Sequence, residues 1–551
     1  MTNTNKIMEL PIGIKPLELP DDEWTNAHQN FTQKLKKDAS FELTVSDPEF
    51  KQKYPTFKEK YNKITENFQW LIKHAIDNKI RLRAMGSGWS LSKVAVSEDG
   101  IINTKKLTLK AELAAVHLSD TYLQNGGDPT NLLFAQCGNE IIRINSSLEK
   151  EQNPAKSLCM SGGSNGQTIV GAFSTGTHGA AFQTRGSLCD CVVAMHIIVG
   201  PDRHIWLERA SYPVTSSAFH EWTKAEVIRN DELFNAALVS FGSFGFIHSV
   251  IIKVEPKFLL VQQLQKVPYN LALENAIKFN DFSGLIAKLK LPVEQLYHFE
   301  LAINPHNFKQ DGQTEEVYLR LMYKQPYQPN YTPFDPNQNG KFTYGDDVLG
   351  IIQSVLDRIE KLPGKIELKL IPKTVNELFE VAYDRPESAI GTIGETFRNT
   401  IFRGQLFSSG FAFDQKDIPV VTQLFLKMNK ELPFTGVMAF RFVKGTQATL
   451  GFCKFEHSCV LELDGADTEL NYQFIELFAQ KLESENIPYT VHWGKINRFL
   501  NKERVRRIYG DTVIESWLSC RRSLLNENTR KVFNNEFLKH CGLDENLEDI
   551  V

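Results

Sequence analysis

Glycine and small hydroxyl residues dominate residues 161–179, a stretch with almost no charged side chains. Because glycine loses more backbone entropy on folding than other residues, such a run is favoured where the backbone turns sharply or approaches another body closely. With no side chains in the way, peptide N–H groups can converge on an anion such as a pyrophosphate. The stretch predicts a cradle for a phosphate-bearing cofactor, and a glycine-rich surface loop is the alternative.

Two further glycine clusters have the same character. Gly86-Ser-Gly-Trp-Ser90 follows a strand-like run at residues 80–85, and residues 240–249 lead into the alternating strand pattern of residues 250–254. None of the three clusters has the strand, G-x-G-x-x-G and helix order of a Rossmann fingerprint, and no Walker A sequence is present. Together they favour one extended ligand that lies across several loops of another fold.

A hydrolase motif overlaps the longest glycine run. Gly162-Gly-Ser-Asn-Gly166 satisfies G-x-S-x-G, the nucleophile elbow of α/β-hydrolases, with Ser164 as the nucleophile. That motif requires a buried strand before it and a long helix after it. Residues 156–161 form a poor strand pattern, so a serine hydrolase is only a remote alternative.

Cysteine and histidine residues that are close in sequence are candidate metal ligands. Two groups lack the spacing of a zinc site: Cys189, Cys191 and His196, and Cys453, His457 and Cys459. On a strand, Cys189 and Cys191 would share one face and His196 would lie on the other. We interpret these cysteines as packed thiols and predict no metal.

The elements that must position the clusters follow from hydrophobic periodicity. An amphipathic helix precedes the first cluster, with an apolar face of Ile64, Phe68, Leu71, Ile72 and Ala75. A hairpin is predicted with strands at residues 192–199 and 204–207. The second half predicts strands at 294–301, 436–443 and 458–463, a proline-rich loop at 325–340, helices at 348–362, 417–428 and 472–482, and a charged helical tail from residue 498.

These motifs carry a resemblance to a known family. Gly86-Ser-Gly-Trp-Ser90, the segment ending in Ser-Thr-Gly-Thr-His-Gly179, and Gly242-Ser-Phe-Gly-Phe-Ile247 resemble the FAD-binding domain of the vanillyl-alcohol oxidase and p-cresol methylhydroxylase (PCMH) superfamily. Within that superfamily the chain is most similar to sugar-lactone, alditol and type II cholesterol oxidases. The resemblance covers residues 57–254 firmly and the C-terminal half loosely.

The resemblance implies an α+β fold in four parts. Residues 1–50 would form an N-terminal extension that packs on the outside of the cofactor domain. Residues 51–258 would form a PCMH-type FAD-binding domain of two α/β subdomains, and residues 259–497 a substrate domain with an antiparallel sheet flanked by helices. Residues 498–551 would form a helical segment that returns to the FAD domain.

The resemblance also implies roles for the glycine clusters. Residues 86–90 would wrap the FAD pyrophosphate, residues 162–179 would line the flavin ring and the phosphates, and Ile247 would offer backbone groups to the pyrimidine end of the flavin. A helix starting near Gln167 or Thr168 would aim its positive end at the cofactor. The cofactor-binding residues are then Gly86, Ser87, Gly88, Trp89, Ser90, Gly162, Gly163, Gln167, Thr168, Gly171, Thr175, Gly176, Thr177, His178, Gly179, Gly245 and Ile247.

One departure from the family concerns how the flavin is held. Many of these oxidases carry a histidine, bonded covalently to the flavin, where this chain has Trp89. Tryptophan does not form that bond, so we predict non-covalent FAD. Cys159 is close to the position of the flavin-linked cysteine in berberine-bridge-type members, but the register is one residue off, and we interpret it as a buried free thiol.

Flavin-dependent oxidation of an alcohol needs a hydride acceptor, a cation near the flavin ring and a group that takes the hydroxyl proton. Met438-Ala-Phe-Arg441 and Val491-His-Trp-Gly-Lys495 resemble the Glu-x-Arg and His-Trp-Gly-Lys elements of alditol oxidases. The resemblance implies that Arg441 is the cation over the flavin and Lys495 a second positive group at the substrate hydroxyl; an ordinary strand-surface arginine is the alternative for Arg441.

The resemblance to alditol oxidases also gives the candidates for the catalytic base and a second departure from the family pattern. Glu462 and Asp464 stand where the alditol enzymes have a histidine and a threonine, and both are candidates for the base. Ala439 stands where the family has a glutamate, which argues against a polyol held by the same hydrogen bonds.

The function predicted from the resemblance is FAD-dependent oxidation of a hydroxyl group on a small molecule: an alcohol, sugar lactone, polyol or sterol-like compound. Related enzymes can block dioxygen with a larger residue near Gly162, so glycine there favours dioxygen as the electron acceptor, unless the turn itself requires glycine. Two alternatives stay open: a dehydrogenase that uses another acceptor, and a degenerate FAD-binding protein, to which Trp89 and Ala439 both point.

The net charge, the apolar runs and the cysteine content of the whole chain limit the classes of partner and the location that we predict. The chain has 551 residues and a net charge of −4, so no basic field favours nucleic acid. The longest apolar runs, such as residues 192–199, are too short to span a bilayer, and the N-terminal residues lack the apolar core of a signal peptide. The eight sparse cysteines are typical of reduced thiols, so the prediction is a cytoplasmic enzyme with no nucleic-acid partner and no membrane span.

Overall fold

The computed structural model describes residues 9–183, 186–333, 370–383, 389–398 and 405–545. The predicted helix at 348–362 and residues 334–340 of the predicted proline-rich loop lie outside these residues. The prediction is wrong for Gln325 and Pro326, which end a strand that begins at Glu315. Residues 327–333 have no regular structure, because proline donates no backbone hydrogen bond.

The first half of the chain alternates short strands with helices. Its strands are β1 (Ile14–Pro16), β2 (Glu23–Thr25), β3 (Thr32–Lys34), β4 (Phe41–Thr44), β5 (Leu82–Met85), β6 (Gly100–Lys106), β7 (Lys110–Glu112), β8 (Leu132–Gln136), β9 (Lys156–Leu158), β10 (Val192–Ile198), β11 (His204–Glu208), β12 (Glu226–Arg229) and β13 (Phe246–Pro256). Its helices are α1 (Pro48–Lys53), α2 (Phe57–Asp77), α3 (Asp120–Gln124), α4 (Ile141–Lys150), α5 (Ile169–Ser174), α6 (Ser217–Thr223) and α7 (Asp231–Leu238).

These strands form two sheets and a hairpin. The smaller sheet has the order β1-β4-β6-β5, with β6 parallel to both β4 and β5. The larger has the order β12-β11-β10-β13-β8-β7, with β9 paired to β13, and β2 and β3 form a separate hairpin. The predicted hairpin is confirmed as β10 and β11, which pair antiparallel.

Helix α2 lies next to the first glycine cluster in sequence. It begins with a capping box in which Thr56 and Glu59 satisfy each other's backbone N–H groups. The apolar face predicted from the sequence is buried along its whole length, so β5 and the Gly86 loop start from a fixed helix.

The second half of the chain is built around one large sheet. Its strands are β14 (Phe258–Pro268), β15 (Leu296–Ile303), β16 (Glu315–Pro326), β17 (Ile390–Gly391), β18 (Phe407–Asp414), β19 (Gly436–Lys444), β20 (His457–Gly465) and β21 (Thr490–Val491). Its helices are α8 (Leu271–Phe279), α9 (Leu370–Tyr383), α10 (Ile393–Thr396), α11 (Ile418–Glu431), α12 (Glu469–Ser484), α13 (Lys502–Tyr509), α14 (Asp511–Leu524), α15 (Glu527–Val532) and α16 (Glu536–His540). Short 3-10 helices span Pro20–Asp22, Lys93–Ala95, Ala115–His117, Pro129–Asn131, Leu188–Cys191, Ser283–Lys288, Val293–Gln295 and Gln415–Asp417.

The large sheet has the order β17-β14-β16-β15-β19-β20-β18-β21, and every pairing is antiparallel. Successive side chains on a strand point to opposite faces. Leu461 and Leu463 of β20 are buried in the hydrophobic core, so Glu462 and Asp464 lie on the other face. The predicted α+β class is confirmed, with an antiparallel sheet beside helices such as α11 and α12.

Three segments differ from what their sequence pattern predicts. Cys189 and Cys191 lie in a 3-10 helix rather than on a strand, because Ser187 and Asp190 form a capping box there. Residues 156–158 of the poor strand pattern pair with β13 as β9. At the N-terminus, β1 and β4 are strands of the smaller sheet. Part of the predicted N-terminal extension therefore belongs to that sheet.

The C-terminal helices pack on the first half of the chain. Trp517 of α14 donates from Nε1 to Val239 O at 3.3 Å, and Arg521 donates from Nε to Ser243 O at 3.1 Å. Asn535 donates to Val96 O at 2.8 Å. These contacts agree with a tail that returns to the cofactor domain; the four-part division of the chain stays a prediction.

Candidate active site and cofactor cavity

One long cavity joins the glycine clusters to the charged face of the large sheet. Its interior volume is about 290 Å³. At the glycine end it is lined by residues 86–90, Gly245 and Ile247. At the charged end it is lined by Arg441, Glu462, Asp464 and Lys495. The predicted cofactor residues that line it are Gly86, Ser87, Gly88, Trp89, Ser90, Gly162, Gly163, Gln167, Thr168, Gly171, Thr175, Thr177, His178, Gly245 and Ile247.

Two predicted cofactor residues lie behind the cavity wall. A Cβ atom on Gly179 would lie 2.3 Å from Ser161 O, so this glycine allows two backbone segments to touch. Gly176 follows α5 with a φ of +87°, in the left-handed region that favours glycine. Both are supports of the cavity rather than lining residues. Helix α5 does start at the predicted place, with Thr168 as its N-cap, but it is only six residues long, so its dipole is small.

The loops that line the cavity approach each other closely. A Cβ atom on Gly86 would lie 2.0 Å from Thr168 Oγ1, and one on Gly166 would lie 2.4 Å from Cζ2 of Trp89. Both distances are shorter than any real carbon contact, so only glycine allows this geometry. The spacing of these glycines is therefore explained by loop-to-loop packing as well as by access to a ligand.

Polar atoms in this region fit a polar cofactor. The side-chain oxygens of Ser87, Gln167 and Ser174 are buried, and among the described residues none of the three has a hydrogen-bond partner. All three residues line the cavity. Since buried polar atoms are almost always hydrogen-bonded, this cavity wall is suited to a ligand with many polar groups, such as a dinucleotide.

The β2–β3 hairpin closes one side of the cavity. Ala27 N–H donates to Gly88 O at 2.9 Å, and Asn26 Nδ2 donates to Ser90 O at 3.0 Å. The His28 ring meets Trp89 edge-on with centroids 5.2 Å apart, and burial lowers the pKa of His28 to about 4, so that imidazole is neutral. The sequence prediction missed this hairpin, because polar residues around three-residue strands give no clear periodicity.

Glu462 is the centre of the charged cluster. Lys495 Nζ lies 3.0 Å from Glu462 Oε1, and Arg441 Nη1 lies 3.1 Å from Glu462 Oε2. His178 Nε2 lies 3.3 Å from Glu462 Oε1, while its Nδ1 donates to Gly179 O at 3.1 Å. Ala439 is directly opposite Glu462 in the β19–β20 register, which leaves room for these three side chains.

The two candidate bases differ in their titration. Burial alone would raise the pKa of Glu462, but the charges of Arg441 and Lys495 outweigh burial and hold that pKa well below its usual value. Burial raises the pKa of Asp464, and the neighbouring Glu462 charge adds to the rise, although Lys495 opposes it. Ser408 donates to Asp464 Oδ1 at 2.6 Å. Asp464 is therefore the more basic carboxylate of the pair.

A third carboxylate in the cavity, Glu300, was not predicted from the sequence. Glu300 of β15 accepts a hydrogen bond from His298 Nε2 at 2.9 Å, and its Oε2 lies 3.6 Å from Arg441 Nε. Burial raises the pKa of Glu300, but Arg441 and His298 outweigh it and lower that pKa to about 2. The available signal was the polar pair His298 and Glu300 on alternate positions of an otherwise apolar strand.

His492 also lines the cavity. Its Nδ1 accepts a hydrogen bond from Gly494 N–H at 3.0 Å. Burial holds the pKa of His492 well below its usual value, with His178 and Lys495 adding to the effect. The imidazole is therefore neutral and carries its hydrogen on Nε2, which makes it a donor rather than a base.

Cys159 and Ser164, the other candidates from the sequence, are not placed for a flavin link or a nucleophile elbow. All eight cysteines are buried and none is in a disulfide, and Cys159 lines a separate cleft beside Lys253, not the cofactor cavity. Ser164 does line the cavity, but it lies between the three-residue β9 and the six-residue α5, without the long helix of a nucleophile elbow. Within the described ranges, no helix could span a membrane and no three side chains are grouped as a metal site.

Known proteins resemble the chain distantly in sequence. No family model matches the chain. The chain is 24% identical over 217 residues to a D-arabinono-1,4-lactone oxidase of Debaryomyces hansenii, covering 39% of this chain and 34% of the relative. It is 28% identical over 138 residues to L-gulonolactone oxidase 3 of Arabidopsis thaliana, covering 25% and 21%. The chain thus spans about a third or less of the length of these relatives.

The structural likeness extends over almost the whole chain. The crystal structure of cholesterol oxidase from B. sterolicum matches 97% of this chain and 100% of that chain, with a TM-score of 0.64 and 15% identity. The fold is that of cholesterol oxidase. A solvent-stable cholesterol oxidase matches similarly, with a TM-score of 0.64 and 13% identity over 96% of this chain and 100% of that chain. Together with the distant lactone oxidases, these matches confirm the resemblance to the PCMH-type superfamily.

Proposed function

We propose that the protein is an FAD-dependent oxidoreductase that oxidises a hydroxyl group on a polar small molecule. The observation that carries the proposal is the continuity of one cavity from the glycine loops to the cluster of Arg441, Glu462, Asp464 and Lys495. The orphaned oxygens of Ser87, Gln167 and Ser174 support a polar cofactor at the glycine end. The names of the distant relatives and of the structural neighbours, lactone and cholesterol oxidases, agree with this class.

Each residue of the cluster has a role in the proposal. FAD, when bound, supplies the acceptor for a hydride from the substrate carbon. Lys495 and Arg441 supply positive charge for the substrate oxygen and for the negative charge that develops beside it. Asp464 accepts the hydroxyl proton, because its pKa is raised, whereas Glu462 stays ionised and fixes the two cations.

The lining near the cluster favours a hydroxyl-rich substrate over a sterol. Glu300, Arg320, Ser408 and His492 line the cavity beside the four proposed residues. A buried polar surface rejects an apolar ligand, because the ligand would leave these groups without hydrogen bonds. A sugar lactone or a similar polar alcohol is therefore the proposed substrate class.

Two finer points of the proposal concern the flavin and the acceptor. Trp89 lines the cavity in place of a linking histidine, which supports FAD held without a covalent bond. Gly162 also lines the cavity and carries no side chain to obstruct a small gas, which supports dioxygen as the acceptor. A dehydrogenase would show the same flavin reduction without hydrogen peroxide.

The first test is the visible absorption spectrum of the purified protein before and after acid precipitation. Two flavin bands, with the colour released into the supernatant, are expected. Bleaching of the bands by sugar lactones or polyols under anaerobic conditions, followed by recovery in air with peroxide, would complete the assignment. A colourless protein that takes up no added FAD would reject the proposal, and bound flavin that no alcohol bleaches would favour the degenerate FAD-binding alternative.

A further inference from the structure

Arg83 is a buried cation with no carboxylate within salt-bridge distance among the described residues. It lies on β5 and is 1% exposed. Its Nη1 donates to Phe241 O at 2.5 Å, while among the described residues Nε and Nη2 have no hydrogen-bond partner. Glu98 is the carboxylate whose charge favours the ionised form of Arg83, but Glu98 is paired with Arg81 at 3.3 Å.

Arg83 remains charged at neutral pH. Burial, reinforced by the nearby charge of Arg521, lowers the pKa of Arg83 to about 9. An ion in the interior is stable only when an opposite charge compensates it, because the loss of hydration is large. Within the described chain that compensation is incomplete, since Glu98 favours the charge of Arg83 whereas Arg521 and Arg81 both oppose it.

The guanidinium lies directly behind the wall of the cofactor cavity. Ala84, Met85 and Gly86 follow Arg83 on the same strand and loop, and all three line the cavity. Gly242 lines it from the other side, and a Cβ atom on Gly242 would lie 3.4 Å from Arg83 Nη1. No side chain of residue 242 therefore separates the charge from the cavity.

We propose that Arg83 is the charge that selects a diphosphate in this part of the cavity. It acts through the wall by attracting the anion, and it holds the Phe241–Gly242 turn by its bond to Phe241 O. A low-dielectric interior strengthens such an attraction relative to water. The identity of the anion as the diphosphate of FAD rests on the function proposed above, whereas the preference for a phosphorylated ligand does not.

Arg521 provides a matched comparison. It is also fully buried, and it supports the same turn by donating from Nε to Ser243 O at 3.1 Å. Unlike Arg83, it has a carboxylate partner, Glu545, at 3.5 Å. A residue that only holds the turn should affect every ligand of the cavity alike, and Arg521 is the model for that behaviour.

The experiment compares ligands that differ in their phosphates. The apoprotein is titrated with riboflavin, FMN and FAD by flavin fluorescence, and with ADP by thermal shift, for the wild type, Arg83→Gln, Arg83→Lys and Arg521→Gln. Arg83→Gln should weaken FAD binding at least about tenfold more than riboflavin binding, as expected for loss of a charge-assisted interaction. Arg83→Lys should keep most of the preference for FAD, and Arg521→Gln should weaken FAD and riboflavin by the same factor.

Equal losses of FAD and riboflavin affinity in Arg83→Gln would overturn the proposal and leave Arg83 as a support of the turn. If Arg83→Gln does not fold, the Arg83→Lys variant serves as the test. Loss of the preference for FAD over riboflavin in Arg83→Lys would also overturn the proposal. A wild type that binds ADP through Arg83 but takes up no flavin would reject the proposed function and retain the anion subsite. A wild type that binds neither ligand would reject both.

Discussion

The charges at the substrate end of the cavity are balanced before any ligand enters. Glu462 is contacted by Lys495, Arg441 and His178, and Glu300 by Arg441 and His298. Such a network fixes the orientation of long cationic side chains, which lowers the entropy lost when a substrate binds. It also keeps Glu462 ionised, so Asp464 is left as the proton acceptor in our proposal.

Replacing Arg441 tests the cation. Arg441→Ala should slow flavin reduction by about a hundredfold or more, as is typical when a charge-stabilising group is removed from an active site. FAD should stay bound, because Arg441 lies on the large sheet and not in the glycine loops. Anaerobic stopped-flow spectroscopy gives the rate, and the absorption spectrum gives the FAD content. Arg441→Lys is the control and should retain part of the rate; an unchanged rate in Arg441→Ala would identify an ordinary strand arginine.

The pH dependence of flavin reduction tests Asp464. A base must be ionised to act, so the rate should rise with pH as Asp464 loses its proton, at a pH above the usual range of an aspartate. Ser408 donates to the carboxylate and favours its ionised form. Ser408→Ala should therefore raise the pKa of Asp464 and move the rise to higher pH, and Asp464→Asn should abolish it. A profile that is identical in all three proteins would assign the proton to another group.

At the scale of elements, the outcome of sequence prediction depended on periodicity. The β10–β11 hairpin and strands β19 and β20 have long apolar patterns, and each was predicted close to its observed bounds. Helix α2 was predicted from its apolar face, which the structure buries. Arg441 and Lys495 could be found because family motifs surround them. The β2–β3 hairpin was missed because its strands are three residues long and polar, and its role comes from contacts with residues far away in sequence.

His298 and Glu300 on β15 show another limit of prediction from a single sequence. His298 and Glu300 are unusual in a strand whose other side chains are apolar, but only the register of β15 with β16 and β19 shows that Arg320 and Arg441 flank Glu300. A single sequence does not contain strand order. The cluster could therefore be predicted only in the part that the family motifs covered.

Gly176 tests how an element supports the cavity. Gly176→Val should cost the cofactor, because a β-branched residue at φ +87° is strained by about 2 kcal/mol and its Cβ would lie 3.2 Å from Phe452 Cβ. The strain would shift α5 and with it Thr168. Gly126→Val is the control: Gly126 has a φ of +78° with nothing within 4 Å of the added Cβ. FAD content after gel filtration should fall in Gly176→Val and not in Gly126→Val; equal FAD contents would contradict the role of Gly176.

At the scale of the whole molecule, the β2–β3 hairpin connects the two large parts of the chain. Besides its bonds to the Gly88 loop, it reaches the substrate side through Asn30, which donates to Leu406 O at 2.8 Å and to Asp467 Oδ2 at 3.0 Å. The cavity therefore has a wall that belongs to neither the glycine loops nor the large sheet. Its closure depends on a few hydrogen bonds.

Asn30→Ala tests this connection. Loss of both bonds should loosen the hairpin, so FAD should dissociate several-fold faster and a protease should cut more readily near residues 23–34. Stopped-flow dilution of the holoprotein and timed proteolysis with mass spectrometry measure the two effects. Thr25→Ala is the control, since the Thr25 hydroxyl bonds to the Thr32 hydroxyl within the exposed hairpin itself. Equal dissociation rates in the two variants would show that the hairpin does not retain the cofactor.

The spread of the lining residues along the chain has a consequence for synthesis in the cell. The cavity is lined by residues from Trp24 to Lys495, and α14 and Asn535 then brace its walls from the C-terminal side. A nascent polypeptide still held by the ribosome has only some of these walls. Cofactor uptake should therefore follow translation, and the released apoprotein must stay folded well enough to receive its ligand.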